Sequence, residues 1–315
     1  MRFNPKARLN TRRMGDAGRS AGGGGGTRGA GIPLPGGLAG GGIGGVIVIV
    51  IIVAISMFAG GGLPGGSPGA SSGGYDTSRM SDTGRYEECK TGADANDNTD
   101  CARVAVENSL YDYWSGALPD QSDTAFEAER KLETFSGGIG TGCGSATAAV
   151  GPFYCPSDQT IYLDTTFFDD VLERQLGGPD GGFVEAYVLA HEYGHHIQNL
   201  LGTMGKVKTQ QGPKSDAVRL ELQADCYAGM WTKAATSTKD ADGNVLIEGL
   251  TDDDIQQAID AATAVGDDRI QEASGGEVDP ESWTHGSAKS RVQWFTTGYR
   301  EGTLEACDTF AADAL

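Results

Sequence analysis

The sequence HEYGHH at residues 191–196 holds three of the four histidines of this 315-residue chain. On an α-helix, His191 and His195 lie one turn apart on the same face. Two imidazoles at that spacing can bind one tetrahedral Zn²⁺. Glu192 lies beside that face, where its carboxylate can take a proton from a metal-bound water. The pattern therefore predicts a hydrolytic site with one Zn²⁺ per chain.

The residues around the motif predict the helix that must carry it. A glycine-rich stretch at 177–182 precedes the motif and Gly202 follows it, as expected at helix ends. Apolar residues recur at helical spacing between these ends: Val184, Tyr187, Val188, Ile197 and Leu201. A surface helix with unrelated histidines is the alternative. The apolar residues favour instead a helix packed inside the domain, where unpaired polar groups are costly.

A third protein ligand must come from another segment. The metzincin pattern requires Gly at position 198 and His at position 201, and the chain has Gln198 and Leu201 there, so that class is excluded. The best candidate is Glu221, within RLELQADCYAG at 219–229. This segment predicts a second helix over about 215–236, which Ser215 would cap.

Glu221 and Asp225 are four residues apart, so they share one face of that second helix. One carboxylate can bind the metal while the other accepts the free N–H of a ligand histidine and fixes its tautomer. We expect Glu221 to be the ligand and Asp225 to be the supporting group. Asp216 and Asp225 remain the alternatives as ligands, since each offers a carboxylate oxygen.

The two motifs together resemble those of the bacterial neutral zinc metallopeptidases, a family of membrane-anchored proteins. The resemblance runs from about Arg85 to the C-terminus and includes VGPFYCPSDQTIYLD (150–164), GDDR (266–269) and HGSAKSRVQWF (285–295). It implies an α+β fold, a mostly helical zincin-like domain with a small sheet. It also implies the Glu-zincin arrangement, in which two helix histidines and a glutamate from the next helix bind zinc and an aspartate lies behind them.

Two further features concern how a substrate would be handled. Peptide hydrolysis needs a donor that stabilises the oxyanion, and His285 is the candidate for this catalytic role, although a lone histidine is more often structural. His196 lies one residue away from the metal face of the helix and is assigned to packing.

The alternating segment TIYLD at 160–164 predicts a strand. Because zinc peptidases of this type pair an edge strand with extended substrate, this strand is the candidate for that pairing.

Charge divides the chain into two unlike parts. The net charge is −19, but the first 28 residues carry +6 and the remainder carries −25. A nucleic-acid-binding protein would show a basic footprint on its folded part, so that class is excluded. Residues 1–75 hold 24 of the 50 glycines, without the Gly-X-Y period of collagen.

A membrane segment is predicted between these parts. No charged residue occurs from 29 to 75, and IGGVIVIVIIVAISMFA at 43–59 is long enough, with its flanks, to cross a bilayer. It is too long for a buried strand, and no signal-peptide cleavage site follows it. The predicted organisation is a disordered basic, Gly-rich cytoplasmic tail (1–42), a transmembrane helix that anchors the chain in the lipid bilayer (43–59), a Gly/Ser/Pro linker (60–84) and a zinc peptidase domain (85–315). The basic residues at the N-terminus place the domain outside the cytoplasm.

All six cysteines follow the apolar run, which agrees with an exported domain. Six cysteines allow 15 pairings. The pairing of cysteines that follow one another in sequence gives Cys89–Cys101, Cys143–Cys155 and Cys226–Cys307. Buried free thiols are the alternative.

These features together predict a single-pass, extracytoplasmic zinc endopeptidase that acts on peptides or proteins. One alternative is a zinc-binding structural or assembly factor of the cell envelope with little proteolytic activity. Glu192 argues against it, because a purely structural site fills all four zinc positions with protein ligands. A second alternative is a hydrolase of another amide, such as a peptide cross-link of the cell wall.

Overall fold

Helices supply most of the regular structure in residues 1–19, 83–147, 150–179 and 181–315, which are the residues that the computed structural model of the chain describes. The α-helices are α1 (Gly92–Asp97), α2 (Thr99–Gln121), α3 (Gly182–Leu200), α4 (Asp216–Ala234), α5 (Asp252–Ala264), α6 (Asp267–Ala273) and α7 (Ala288–Glu301). Shorter turns of helix cover Phe168–Glu173, Thr203–Lys206 and Pro280–Ser282. The strands are β1 (Arg2–Phe3), β2 (Met14–Arg19), β3 (Lys131–Ser136), β4 (Gly138–Thr141), β5 (Gly144–Thr147), β6 (Phe153–Cys155), β7 (Thr160–Asp164) and β8 (Ile247–Gly249). The expected α+β class is confirmed.

The largest sheet among the described residues has four strands, in the order β2-β3-β7-β6. β2, β3 and β7 are parallel, and β6 is antiparallel to β7. The predicted strand at 160–164 is therefore present as β7, but it lies inside the sheet with a partner on each side. The expectation that it offers a free edge to substrate is wrong. β6 occupies that edge instead.

Two pairs of short strands make up the other sheets of the described residues, β1 with β8 and the hairpin β4–β5. The three disulfides pair cysteines that follow one another in sequence, as predicted: Cys89–Cys101, Cys143–Cys155 and Cys226–Cys307. None of the six cysteines is free. The second disulfide joins the tip of the β4–β5 hairpin to the end of β6, and the third joins α4 to the C-terminal segment.

The two predicted motif helices are present as α3 and α4. Ser215 caps α4, with its Oγ accepting the Val218 N–H at 3.2 Å. Gly194, inside the histidine motif, lets the two helices approach each other, since a Cβ there would lie 3.1 Å from the Ala224 Cα and from its carbonyl oxygen. The close approach brings the histidine face of α3 opposite the acidic face of α4.

Residues 1–19 depart from the prediction of a disordered tail over 1–42. They contain two strands, and β2 pairs with β3 in the central sheet. Phe3, Ala7 and Met14 are buried in the core. The prediction failed for these residues because it rested on the overall glycine content and charge, while the partners of β2 lie more than 100 residues away in the sequence.

The predicted transmembrane helix at 43–59 and most of the predicted linker at 60–84 lie outside the described residues. In the part of the chain that the structure describes, no helix is long and apolar enough to cross a membrane.

Candidate metal centre

Three buried side chains from the two motif helices converge on one point. His191 and His195 project from α3 and Glu221 from α4, and one ligand atom of each lies within 4.8 Å of the others. The His191 Nε2 is 3.2 Å from the Glu221 Oε2, and the His195 Nε2 is 3.5 Å from the Glu221 Oε1. Both Nε2 atoms and both carboxylate oxygens therefore face one another, as a shared metal ion requires.

The other ring nitrogen of His191 is held by a charged network. Its Nδ1 lies 2.8 Å from the Asp225 Oδ1, one turn along α4 from Glu221. Asp225 also accepts the Tyr187 hydroxyl at 2.6 Å and two bonds from the Arg291 guanidinium, each of 2.9 Å. Asp225 is fully buried, and four donors around its two oxygens compensate for its lost hydration. The network fixes the ring so that Nε2 faces the ligand site.

A neutral network holds His195. Its Nδ1 lies 2.8 Å from the Gln198 Oε1, three residues later on α3. The Gln198 amide then donates to the Leu220 carbonyl at 2.7 Å and to the Gln223 Oε1 at 3.2 Å. Because the Gln198 oxygen accepts the Nδ1–H, the Nε2 of His195 is left as an acceptor for a metal. The amide of Gln198 thus fixes both the tautomer of His195 and its position relative to α4.

The carboxyl groups of the site differ in their proton affinity. Burial raises the pKa of Asp225, but the Arg291 guanidinium and the nearest imidazole outweigh that effect and lower the pKa to about 2. Burial likewise opposes ionisation of Glu221, but the two ligand imidazoles hold its pKa well below the usual value. For Glu192 burial prevails and raises the pKa. Two anionic carboxylates therefore lie beside one with increased proton affinity.

The ligand set fits a zinc ion. The Glu221 Oε1 is buried and makes no hydrogen bond in the described structure, although buried carboxylate oxygens normally have a partner. It faces the two imidazole nitrogens, and two imidazoles with one carboxylate form a donor set that catalytic zinc sites use. A divalent cation would give that oxygen the missing partner.

Glu192 and the three ligands line one cavity together with His285 and Arg291. The rest of the lining is mainly apolar and comes from several elements. Its apolar residues include Val150, Pro152, Phe153, Phe167, Leu176, Val188, Met204, Leu220, Val265 and Ile270. The edge strand β6 contributes Phe153 and Tyr154 to the wall. The candidate metal centre thus opens into an apolar cleft bordered by a strand edge.

His285 is positioned by an aspartate on another element. The Asp267 Oδ2 accepts the backbone N–H groups of Thr284, His285 and Gly286 at 2.8, 2.7 and 2.9 Å. The His285 Nδ1 is 2.9 Å from the Thr284 hydroxyl and 3.3 Å from the Asp267 Oδ1. Because Nδ1 is held there, Nε2 is the ring nitrogen left for a group in the cavity.

The structure thus brings together the predicted His191, Glu192, His195, Glu221, Asp225 and His285. Asp216, an alternative ligand, instead accepts the backbone N–H groups of Lys208 and Thr209, at 2.9 and 3.0 Å. His196 is buried away from the ligands, with its ring bonded to the Tyr154 hydroxyl and the Glu127 carbonyl.

Sequence reasoning gave no role to Arg291, Gln198, Tyr187 or Asp267. Gln198 entered only to exclude metzincins, and Tyr187 only as an apolar position. A signal was present for Arg291, because a basic residue on the apolar face of an amphipathic helix needs a buried partner. The identity of that partner, 66 residues away, had no sequence signature.

Two histidines one turn apart on a helix, with a glutamate from the next helix, define the His₂Glu class of zinc sites, known from hydrolases. The sequence profile of the family described as "putative neutral zinc metallopeptidase" matches residues 4–310, and the chain belongs to that family. The match begins well before Arg85, where the sequence resemblance was expected to start.

The curated relatives are themselves uncharacterized proteins. One from Mycobacterium tuberculosis is 50% identical over 230 residues, which cover 72% of this chain and 76% of the relative. The protein YpfJ of Escherichia coli is 43% identical over 186 residues, covering 57% of this chain and 61% of the relative. No solved structure matches the chain.

Proposed function

We propose that the chain is a zinc-dependent endopeptidase. The observation that carries the proposal is the convergence of His191, His195 and Glu221 in a cavity that Glu192 also lines. When bound by these three residues, Zn²⁺ would supply a Lewis acid and lower the pKa of a coordinated water. A fourth coordination position would be left for solvent or substrate, which distinguishes a catalytic site from a structural one.

The side chains of the chain itself would carry the proton and orient the groups. Glu192 accepts the proton of the attacking water and delivers it to the leaving amine. In the tautomer in which the Thr284 hydroxyl donates to its Nδ1, His285 donates a hydrogen bond from Nε2 to the oxyanion that develops on the substrate carbonyl. Asp225 and Arg291 hold the ring of His191 while charge redistributes in the site.

The cavity wall supports a substrate with an apolar side chain next to the cleaved bond. Among the described residues that line the cavity, the acidic and basic side chains are the three ligands, Glu192, His285 and Arg291. Arg291 is already bound by both oxygens of Asp225. Apart from the groups assigned to the metal and to catalysis, the described lining offers neither a free cation for a terminal carboxylate nor a carboxylate for a terminal amine, and cleavage inside a chain is favoured over cleavage at its ends.

We also propose that the edge of β6 binds the substrate backbone. An extended peptide can add to the edge of a sheet through main-chain hydrogen bonds. β6 lies at the edge of the sheet and contributes Phe153 and Tyr154 to the cavity that contains Glu192. A peptide paired there would lie along the cavity that the metal ligands also line.

The extracytoplasmic location remains a proposal, which three disulfides support, because such bonds persist in oxidising compartments. Attachment to the membrane through the apolar run at 43–59 is likewise proposed from its length and composition.

The test is purification of the full chain with metal analysis and cleavage of a mixed peptide library, beside Glu192→Gln and Glu221→Ala. We expect about one zinc per chain in the unaltered chain and in Glu192→Gln, and cleavage only by the unaltered chain. Glu221→Ala should lose zinc. Equal cleavage by the Glu192→Gln protein would contradict the proposal, and zinc binding without any cleavage would favour a structural or assembly role.

A further inference from the structure

The N-terminal segment, residues 1–19, is built into the same domain as the metal centre. β2 is an outer strand of the central sheet, with Met14 beside Leu132 and Asp16 beside Thr134 of β3. The Leu132 N–H donates to the Arg13 carbonyl at 2.7 Å. The strand that β2 joins, β3, pairs in turn with β7, so the segment extends the sheet that ends at the cavity.

Two asparagines outside the segment are fully engaged by its backbone. The side chain of Asn96 accepts the Phe3 N–H and donates to the Phe3 carbonyl, both at 2.9 Å. Asn108 bonds to Asn10 in the same two-sided way, at 2.7 and 2.9 Å. Each asparagine therefore satisfies both backbone groups of one residue of the segment.

Gly92 marks a point of close approach between the segment and α1. A Cβ at this position would lie 2.0 Å from the carbonyl oxygen of Asn4, closer than any real contact. Its N–H donates to the Ala7 carbonyl at 2.9 Å. Only glycine fits this position while the segment is in place.

Arg13 is the cation beside two buried glutamate side chains. Its Nε lies 2.5 Å from the Glu107 Oε1 and 3.4 Å from the Glu129 Oε1, and both carboxylates are shielded from solvent. The buried hydroxyl of Tyr193, on the face of α3 opposite the ligand histidines, lies beside the same pair. Loss of the cation from this buried ion pair would strongly destabilise the fold.

We propose that the N-terminal segment is a permanent part of the catalytic domain and lies on the same side of any membrane as residues 83–315. A chain that crossed a bilayer once at 43–59 would separate Arg13 from Glu107 and β2 from β3. The two ends of the stretch 20–82 must therefore emerge on one side, whatever path the stretch takes. The family match supports this, because it starts at residue 4, within the segment.

An engineered disulfide tests the packing in the full chain. Arg8 and Thr91 form an isolated antiparallel bridge, whose Cα spacing of about 4.5–5.5 Å suits a disulfide. Cells produce the double variant Arg8→Cys/Thr91→Cys, and their membranes are treated with a mild oxidant. The protein is then denatured, and a maleimide-polymer mass tag gives the number of free thiols per chain. We expect none in the double variant and one in each single variant, because the native cysteines are all paired. Two free thiols in the double variant would overturn the proposal.

A second measurement shows on which side of the membrane the segment and the domain lie, and it does not need the Thr91 substitution. Arg12 and Glu277 are exposed, one in the segment and one in the domain. Arg12→Cys and Glu277→Cys are labelled in intact cells with a membrane-impermeant maleimide. Labelling of both supports the inference and the extracytoplasmic location. Protection of both supports the inference and contradicts that location. Labelling of only one overturns the inference, and none of these outcomes bears on whether the chain cleaves peptides.

Discussion

The two ligand histidines are fixed by different kinds of partner. His191 is held by the charged Asp225–Arg291 pair, whereas His195 depends on the neutral amide of Gln198. Since Gln198 sets the tautomer of His195, we predict that Gln198→Ala weakens zinc binding about 10-fold, the lower end of what such partners contribute. Competition with a chelator of known affinity measures it.

Asn199→Ala is the matched control for that prediction. Asn199 is the next residue on α3 and bonds to the Tyr154 hydroxyl at 3.0 Å instead of a ligand. We expect its zinc affinity to equal that of the unaltered chain. If the two variants bound zinc equally well, Gln198 would have no role in holding His195.

A separate prediction concerns His285. If its Nε2 stabilises the oxyanion, His285→Phe should lower kcat about 100-fold, as removal of one oxyanion donor does, and leave the zinc content unchanged. Asp267→Asn should lower kcat by less, because the loop at 284–286 would lose a charged acceptor but keep its histidine. Kinetics on a peptide that the unaltered chain cleaves, with zinc analysis of each variant, check both. Loss of zinc in His285→Phe would instead indicate a structural role.

The sequence predicted those parts of the site whose residues lie close together in the chain. The spacing of His191, Glu192 and His195 is set within one helical turn, so the sequence alone predicts that they act together. Glu221 followed from a second local pattern. The contact between Asp225 and Arg291 joins two helices 66 residues apart, and no local pattern specifies which buried arginine meets which aspartate.

At the level of secondary structure, helix ends were predicted well and strand order was not. The caps of α3 and α4 are local signals, and the predicted ranges agree with Gly182–Leu200 and Asp216–Ala234 to within two residues. β6 has only three residues, too few to show alternation, so β7 was taken as the edge. Which strand is outermost depends on pairing between distant segments, including β2, and that information is not local.

A substitution in the short helix Thr203–Lys206 tests whether the cavity wall binds a substrate side chain. Met204 is half-buried in the cavity wall and belongs to neither ligand helix. If the wall binds an apolar substrate side chain, Met204→Glu should lower kcat/KM for peptides with Leu or Phe at the cleaved bond at least 10-fold, since a single methylene is worth about that much. Cleavage of a peptide series that varies only that residue measures it.

Val278→Glu serves as the matched control, because Val278 is 38% exposed and does not line the cavity. Its kcat/KM should equal that of the unaltered chain. Zinc content and circular dichroism show that each variant is folded. An unchanged preference in Met204→Glu would place the substrate side chain elsewhere.

On the scale of the whole molecule, composition proved a poor guide to where the folded domain begins. The first 28 residues are basic and border a glycine-rich stretch, which predicted a disordered tail. Within them, however, Phe3, Ala7 and Met14 are buried and Arg13 meets two glutamates. The basic character that indicated a cytoplasmic tail belongs in part to an ion pair inside the folded domain.

That ion pair leads to a prediction about stability. Arg13 is 16% exposed at its side chain and its glutamate partners are fully buried, so solvent screens the contact little. Loss of one partner of a buried pair costs about 3–5 kcal/mol, and we predict that Arg13→Met lowers the free energy of unfolding by about 3 kcal/mol. Denaturant unfolding of the full chain measures it. Arg12→Met, at the exposed neighbouring position, should change that free energy by no more than about 0.5 kcal/mol.

A second substitution separates the charge of Arg13 from its packing. If the loss in Arg13→Met comes from an unbalanced buried carboxylate, then Glu107→Gln, which removes the carboxylate whose Oε1 lies 2.5 Å from the Arg13 Nε, should restore part of the stability in the double variant. Glu129→Gln alone should cost little, because burial and the neighbouring Glu107 already raise the pKa of Glu129 well above its usual value. Strict additivity of Arg13→Met and Glu107→Gln would mean that the two residues do not interact, and it would remove the electrostatic reason for docking the N-terminal segment behind α3.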